Sequence, residues 1–109
     1  MAIWVITPNG LALGQKILHH FPDARIYLSD KFSNASDISC QPENLSYFEK
    51  LSDAIEKAFY QYDAHLFVFS TGIAVRMISP FVKSKRTDPA VVVVDDGGRF
   101  AVSLLSGHI

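Results

Sequence analysis

The sequence predicts an α/β domain: a three-layer open sheet, mostly parallel, in the order β-α-β-α-β-α-β-β with an antiparallel hairpin at its C-terminal end. Three observations carry this. Short apolar, β-rich runs at Ala2 to Ile6, Arg25 to Leu28, His65 to Ser70 and Ala90 to Val94 alternate with segments of helical periodicity. Two of those runs, HLFVFS and AVVVV, are almost continuously apolar, as strands buried on both faces are. A length of 109 residues supports one core and is too short for two.

Taken in order, Ala2 to Ile6 reads as a strand and Thr7-Pro8-Asn9-Gly10 as the turn that ends it. Leu11, Gly14, Leu18 and Phe21 then recur at helical spacing. Pro22-Asp23 stops that helix, Arg25 to Leu28 forms the second strand, and the polar, aperiodic stretch Ser29 to Asn44 is expected to be a long surface loop. A second helix is expected from about Leu45 to Tyr62, with Phe48, Leu51, Ile55, Ala58, Phe59 and Tyr62 on one stripe. His65 to Ser70 is the third strand. The third helix runs from about Ile73, and Pro80, which removes a donor and crowds the carbonyl of Arg76, predicts a kink or an early stop. Ala90 to Val94 and Arg99 to Leu105, joined by Asp95-Asp96-Gly97-Gly98, make the hairpin.

Composition excludes several functions. With 49% apolar and 19% charged residues and a formal net charge of -1, the chain has no global attraction for nucleic acid or anionic membrane. No apolar run approaches the roughly 18 residues of a membrane span, and the N-terminus has no basic region of a signal peptide. Cys40 is the only cysteine, so neither an intrachain disulfide nor a Cys-based zinc site can form, which fits a reducing, cytoplasmic setting. The absence of GxxxxGK[ST] and GxGxxG disfavours ATP and dinucleotides.

The polar and glycine positions concentrate in Ser70 to Ile109. Thr71-Gly72-Ile73 sits where a strand feeds a helix, the place where unpaired N–H groups meet anions; Thr71 is expected to cap the helix or bond a ligand, and Gly72 to let a ligand approach the backbone. Asn9-Gly10 is the equivalent turn after the first strand, and the two turns could wall one cleft. Plain capping and turn chemistry explain both equally well. Arg76, Lys83, Lys85 and Arg86 form a basic run that either neutralises a helix end or docks a polyanion. Asp95 and Asp96 fit hairpin chemistry, with one of them as a candidate base. Ser103, Ser106 and His108 bring hydroxyls and an imidazole close to Gly107, able to do acid-base work without forming a recognised triad. His19 and His20 suit a helix end better than a metal site, and no metal site is predicted.

Thr71-Gly72-Ile73-x-Val75-Arg76-x-Ile78-x-Pro80, Lys85-x-Thr87-Asp88-Pro89-Ala90-Val91-Val92-Val93-Val94-Asp95, Gly98-x-Phe100 and Ser103-Leu104-Leu105-Ser106-Gly107-His108 together resemble the N-terminal region of the CbiG family, the cobalt-precorrin-5A hydrolases of anaerobic cobalamin biosynthesis. The resemblance implies an enzyme that opens the δ-lactone of cobalt-precorrin-5A and releases a two-carbon fragment as acetaldehyde, giving cobalt-precorrin-5B. An alternative is a corrinoid-binding or domain-interaction module without catalysis.

On that resemblance, His108, Ser106 and Asp95 are the expected catalytic residues. Asn9, Gly10, Thr71, Gly72, Ile73, Arg76, Lys85, Arg86, Ser103 and Gly107 are expected to bind the polycarboxylate substrate. Backbone N–H groups at Gly72 and Ile73 and the His108 imidazole would serve the same lactone. The cobalt belongs to the substrate and no cofactor is expected. The resemblance also implies that residues 1–109 are the N-terminal domain of a longer enzyme cut after Ser106-Gly107-His108. The expected partners are the substrate and the missing C-terminal domains, with a homodimer left open and neither nucleic acid nor membrane involved.

Overall fold

The computed structural model describes residues 1–32, 38–39, 42–83, 88–95 and 97–106. It contains six strands: β1 (Ala2–Val5), β2 (Arg25–Ser29), β3 (Leu45–Phe48), β4 (Ala64–Val68), β5 (Ala90–Val94) and β6 (Ala101–Ser106). Its three helices are α1 (Pro8–His20), α2 (Leu51–Ala58) and α3 (Thr71–Ile78), and short 3-10 turns extend α2 over Phe59–Gln61 and α3 over Ser79–Phe81. The strands form one sheet in the order β3-β2-β1-β4-β5-β6, parallel throughout except for the β5–β6 hairpin. The α/β class, the mostly parallel sheet and the antiparallel end are as the sequence predicts. No helix among the described residues is long and apolar enough to cross a membrane.

Side-chain alternation along β1 divides the core into two halves. Ala2 and Trp4 face α2 and α3, in a cluster with Ile55, Phe59, Phe67, Ala74, Ile78, Val91 and Val93. Ile3 and Val5 face α1, with Leu11, Leu18, Ile26, Leu28, Leu66 and Val68. Gly14 allows α1 to lie close against this second half: a Cβ there would meet Val5 Cγ2 at 3.1 Å.

The expected second helix, 45–62, is corrected at its start. Leu45–Phe48 is an edge strand in register with β2, Ser29 opposite Phe48, and α2 begins only at Leu51. Phe48 fits the helical stripe by spacing, but Tyr and Phe also favour strands, and four residues are too few for periodicity to choose. Its ring instead packs at 6.1 Å from Trp4. The polar stretch before it holds 3-10 turns at Asp30–Phe32 and Pro42–Asn44, and residues 33–37 and 40–41 lie outside the described residues.

The third helix starts two residues earlier than expected, and its cap is Ser70 rather than Thr71. Ser70 Oγ accepts from the Ile73 N–H at 3.4 Å. The helix stops at Ile78, and Pro80 lies in the 3-10 turn that follows, consistent with its missing donor.

Candidate functional site

In a doubly wound sheet the order of strands reverses at one point, and ligands gather outside the carboxyl ends of the strands there. Here that point lies between β1 and β4, which pair directly. The turns after these strands, Thr7 to Gly10 and Ser70 to Ile73, therefore share one edge of the sheet, as the sequence suggested. Asp95 follows β5 at the same carboxyl edge.

Most polar groups on this edge are used by the fold. Thr7 Oγ1 caps α1 by accepting from the Gly10 N–H at 2.9 Å, and Pro8, first in the helix, has no N–H to offer. Gly10 answers a packing demand, because a Cβ there would lie 3.1 Å from the carbonyl oxygen of Val68 and 3.0 Å from Thr7 Oγ1. Asp95 closes the hairpin: Oδ1 accepts from the N–H groups of Arg99 at 2.7 Å and Phe100 at 2.9 Å, and Oδ2 lies 3.9 Å from Arg99 Nε. The Phe100 N–H first, then the Arg99 N–H and guanidinium, hold this carboxyl below the ordinary aspartate value. Gly98 supplies the positive φ of 74° that the turn requires.

Gly72 differs from Gly10. Nothing lies within 4 Å of where its Cβ would be, and both it and Thr71 are exposed at the first turn of α3. Asn9 is exposed on the neighbouring turn.

The opposite, amino edge collects a different set. Because β6 is antiparallel, Ala101 pairs with Val94 and Ser106 with Ala90, so the chain that leaves the carboxyl edge at Asp95 returns to the amino edge by Ser106. Ser103 sits midway, exposed, next to a bulge opposite Val91 and Val92. Ser106 therefore lies at the edge opposite the one that carries the Gly72 and Ile73 N–H groups. Six strand residues, about 17 Å at a rise near 3.4 Å per step, separate the two ends of β6. Gly107 and His108, like Lys85 and Arg86, lie outside the described residues. Arg76 is exposed in the last turn of α3, which runs back toward the amino edge.

Asp88, just before β5, is the buried carboxylate of this edge, only 3% exposed. Its two oxygens accept the Lys83 N–H at 3.0 and 2.9 Å. Tyr60 Oη lies 2.7 Å from both Asp88 Oδ1 and the Phe81 carbonyl oxygen, so one hydroxyl proton serves two acceptors. Loss of water around the phenol and the Asp88 carboxylate beside it push the Tyr60 pKa up to about 12. Lys83 Nζ stands 4.9 Å from the centre of the Tyr60 ring, a cation over a π face. Site reasoning from sequence missed Asp88 and Tyr60. The available signal was an Asp-Pro pair directly ahead of a buried strand, where an acid so close to the core needs partners.

His65 lies near the amino end of β4, 1% exposed. Its Nδ1 accepts from Trp4 Nε1 at 3.0 Å, which leaves Nε2 to donate to the Phe59 carbonyl oxygen at 2.8 Å. Both nitrogens are occupied, so this histidine is structural. A groove of about 670 Å³ between α2 and the β2–β3 strands is lined by Tyr27, Phe48, Lys50, Asp53, Lys57 and Gln61 among others, and none of the candidate residues contributes to it.

With this geometry in place, comparison with known proteins decides the family. The family described as Cobalamin synthesis G N-terminal matches residues 53–109, which include both edges of the β4–β5–β6 half. The chain belongs to that family. It is 35% identical over 109 residues to a cobalt-precorrin-5A hydrolase of Priestia megaterium, and 35% identical over 108 residues to the cobalt-precorrin-5A hydrolase of Salmonella typhimurium. Each alignment covers 99% of this chain and 28% of the relative, so the chain spans little more than a quarter of their length. The crystal structure of a cobalamin biosynthesis protein G homolog from Sulfolobus solfataricus superposes with a TM-score of 0.67 at 26% identity, covering 98% of this chain and 29% of that one.

Proposed function

We propose that this chain is the N-terminal domain of a cobalt-precorrin-5A hydrolase, and that it takes the corrinoid at the amino edge of its sheet. The observation that carries this is the β5–β6 register. It delivers Ser106 to the edge where Asp88, Tyr60 and Lys83 are already organised and where Arg76 points its helix end.

On this reading His108, two residues after Ser106, acts at that edge. Opening a δ-lactone needs a positioned water, a donor for the oxyanion and an acid for the departing alkoxide. His108 takes a proton from water as it attacks the lactone carbonyl and returns it to the ring oxygen as the C–O bond breaks. Ser106 and the Gly107 N–H stabilise the oxyanion between these steps. The freed hydroxyl then loses its proton and becomes the C=O of acetaldehyde as the C–C bond that joins the two-carbon arm to the macrocycle breaks; the macrocycle takes up that electron pair and a proton, giving cobalt-precorrin-5B. Arg76, Lys85 and Arg86 pair with the acetate and propionate carboxylates of the macrocycle, and Asp95 keeps its hairpin role.

A second reading is favoured by Gly72, whose open surroundings serve no packing purpose. On it, the domain only binds, holding a substrate carboxylate at the N-terminus of α3 with Thr71, Ile73, Asn9 and Gly10, while catalysis resides elsewhere in the full enzyme.

The test is a chimera in which this chain replaces the matching quarter of the Salmonella typhimurium relative. We expect acetaldehyde release from cobalt-precorrin-5A by the chimera, lost in His108→Ala and kept in Gly72→Ala. Full activity of the His108→Ala chimera would refute the catalytic assignment. The purified chain by itself is expected to bind the corrinoid with little or no turnover, and acetaldehyde release at the rate of a full-length relative would overturn that.

A further inference from the structure

We propose that Lys83 is a carboxylate-binding residue for the corrinoid periphery, and that Tyr60 and Asp88 hold it in place before the substrate arrives. This deepens the reading above and rests on it. An ordinary surface lysine spends side-chain entropy when it fixes an anion, which is why exposed ion pairs contribute little. Lys83 has lost part of that freedom already. Its backbone N–H is gripped by both oxygens of a buried carboxylate, at 3.0 and 2.9 Å, and its ammonium stands over the Tyr60 ring at 4.9 Å.

The Tyr60 ring is itself fixed at its far end, where the hydroxyl lies 2.7 Å from Asp88 and from the Phe81 carbonyl oxygen. The cluster is anchored to the sheet two residues before Ala90, which pairs with Ala64 on one side and with Ser106 on the other. A cation attached to rigid structure, with no carboxylate within ion-pair distance of its Nζ among the described residues, is an arrangement for an anion that comes from outside. The ligand chemistry is a flexible acetate or propionate arm, whose carboxylate can reach an ammonium already held over the Tyr60 ring.

The experiment is calorimetric titration of the purified chain with two probes: a cobalt corrin bearing free acetate and propionate side chains, and the same corrin with those acids converted to amides. Lys83→Gln, Tyr60→Leu, their double variant and Lys57→Gln, a lysine on α2, complete the set. Lys83→Gln is expected to weaken the acid probe about tenfold and leave the amide probe unchanged, the scale of one charge-assisted contact. Lys57→Gln is expected to change neither. In the Tyr60→Leu background the Lys83→Gln loss should shrink to about threefold or less, the mark of coupling between neighbours. If the unsubstituted chain binds the acid probe but Lys83→Gln binds it equally well, or Lys57→Gln weakens it as much, the Lys83 assignment is overturned and the proposed function stands. If the unsubstituted chain binds neither probe, the proposed function fails and takes this assignment with it.

Discussion

The two edges of the sheet carry similar residue types and put them to different uses. On the carboxyl edge, Thr7, Gly10, Ser70 and Asp95 each satisfy a demand of the fold: two caps, one close helix approach and one hairpin closure. On the amino edge, Asp88 and Tyr60 are also satisfied, but what they organise is Lys83, an exposed cation whose ammonium has no carboxylate partner among the described residues. The comparison teaches that a polar residue near a strand end is a functional candidate only after the hydrogen bonds of the fold have been subtracted. By that standard Asp95 is accounted for, and Gly72, with open space around it, is not.

The largest effect expected from breaking this contrast is at Asp88. Asp88→Ala removes the acceptor of the Lys83 N–H and leaves the Tyr60 hydroxyl with the Phe81 carbonyl alone, and should lower stability by about 1 to 3 kcal/mol in urea unfolding. A loss below about 0.5 kcal/mol would mean that the cluster is not organised as described.

Next comes His65, beside the same edge. Burial first, and the N-terminal ammonium in addition, lower its pKa from 6.5 against the opposing pull of the Phe59 carbonyl. Tyr62 presents its ring edge, and the other neighbours are Phe59, Phe67 and Trp4. The unfolded chain therefore takes up this proton first. The stability is complete above the unfolded pKa and falls as pH drops below about 6.5, with a limiting slope of about 1.4 kcal/mol per pH unit. Urea unfolding followed by Trp4 fluorescence between about pH 7.5 and 5.5 measures it. His65→Gln, which can still accept from Trp4, should flatten the slope, and an unchanged slope would place the titration elsewhere.

The two turn glycines give smaller effects of opposite sign. Gly10→Ala forces a methyl against the Val68 carbonyl and should cost about 1 to 2 kcal/mol. Gly72→Ala meets nothing, gains helix propensity and should stabilise by about 0.5 to 1 kcal/mol. Thermal melts of the two variants compare them directly, and a shift of the same sign in both would remove the distinction. Corrinoid affinity should be unchanged in Gly72→Ala; a marked loss would favour binding at the carboxyl edge.

Much of this arrangement is legible in the sequence. The buried strands announce themselves as continuous apolar runs, and Asp95 to Gly98 announces a hairpin, which carries with it the return of β6 to the amino edge. That return puts Ser106 at the edge opposite Gly72, while His108 lies outside the described residues. The short strand β3 was hidden because Phe48 fits two periodicities, and only its packing against Trp4 and the pairing with β2 select one. The Tyr60–Asp88–Lys83 cluster was hidden for another reason. Its members are 28 and 5 residues apart, and nothing local in sequence links the end of α2 to the entry of β5.

The central claim, that the amino edge and not the carboxyl edge receives the corrinoid, is tested most directly by amide chemical shifts of the isotopically labelled chain titrated with a cobalt corrin bearing free carboxylates. The account predicts that the amides of Tyr60, Lys83, Asp88, Ala90 and Ser106 move together while those of Asn9, Gly10 and Thr71 to Ile73 stay in place. Shifts centred on Asn9, Gly10 and Thr71 to Ile73, with the amino edge silent, would contradict it.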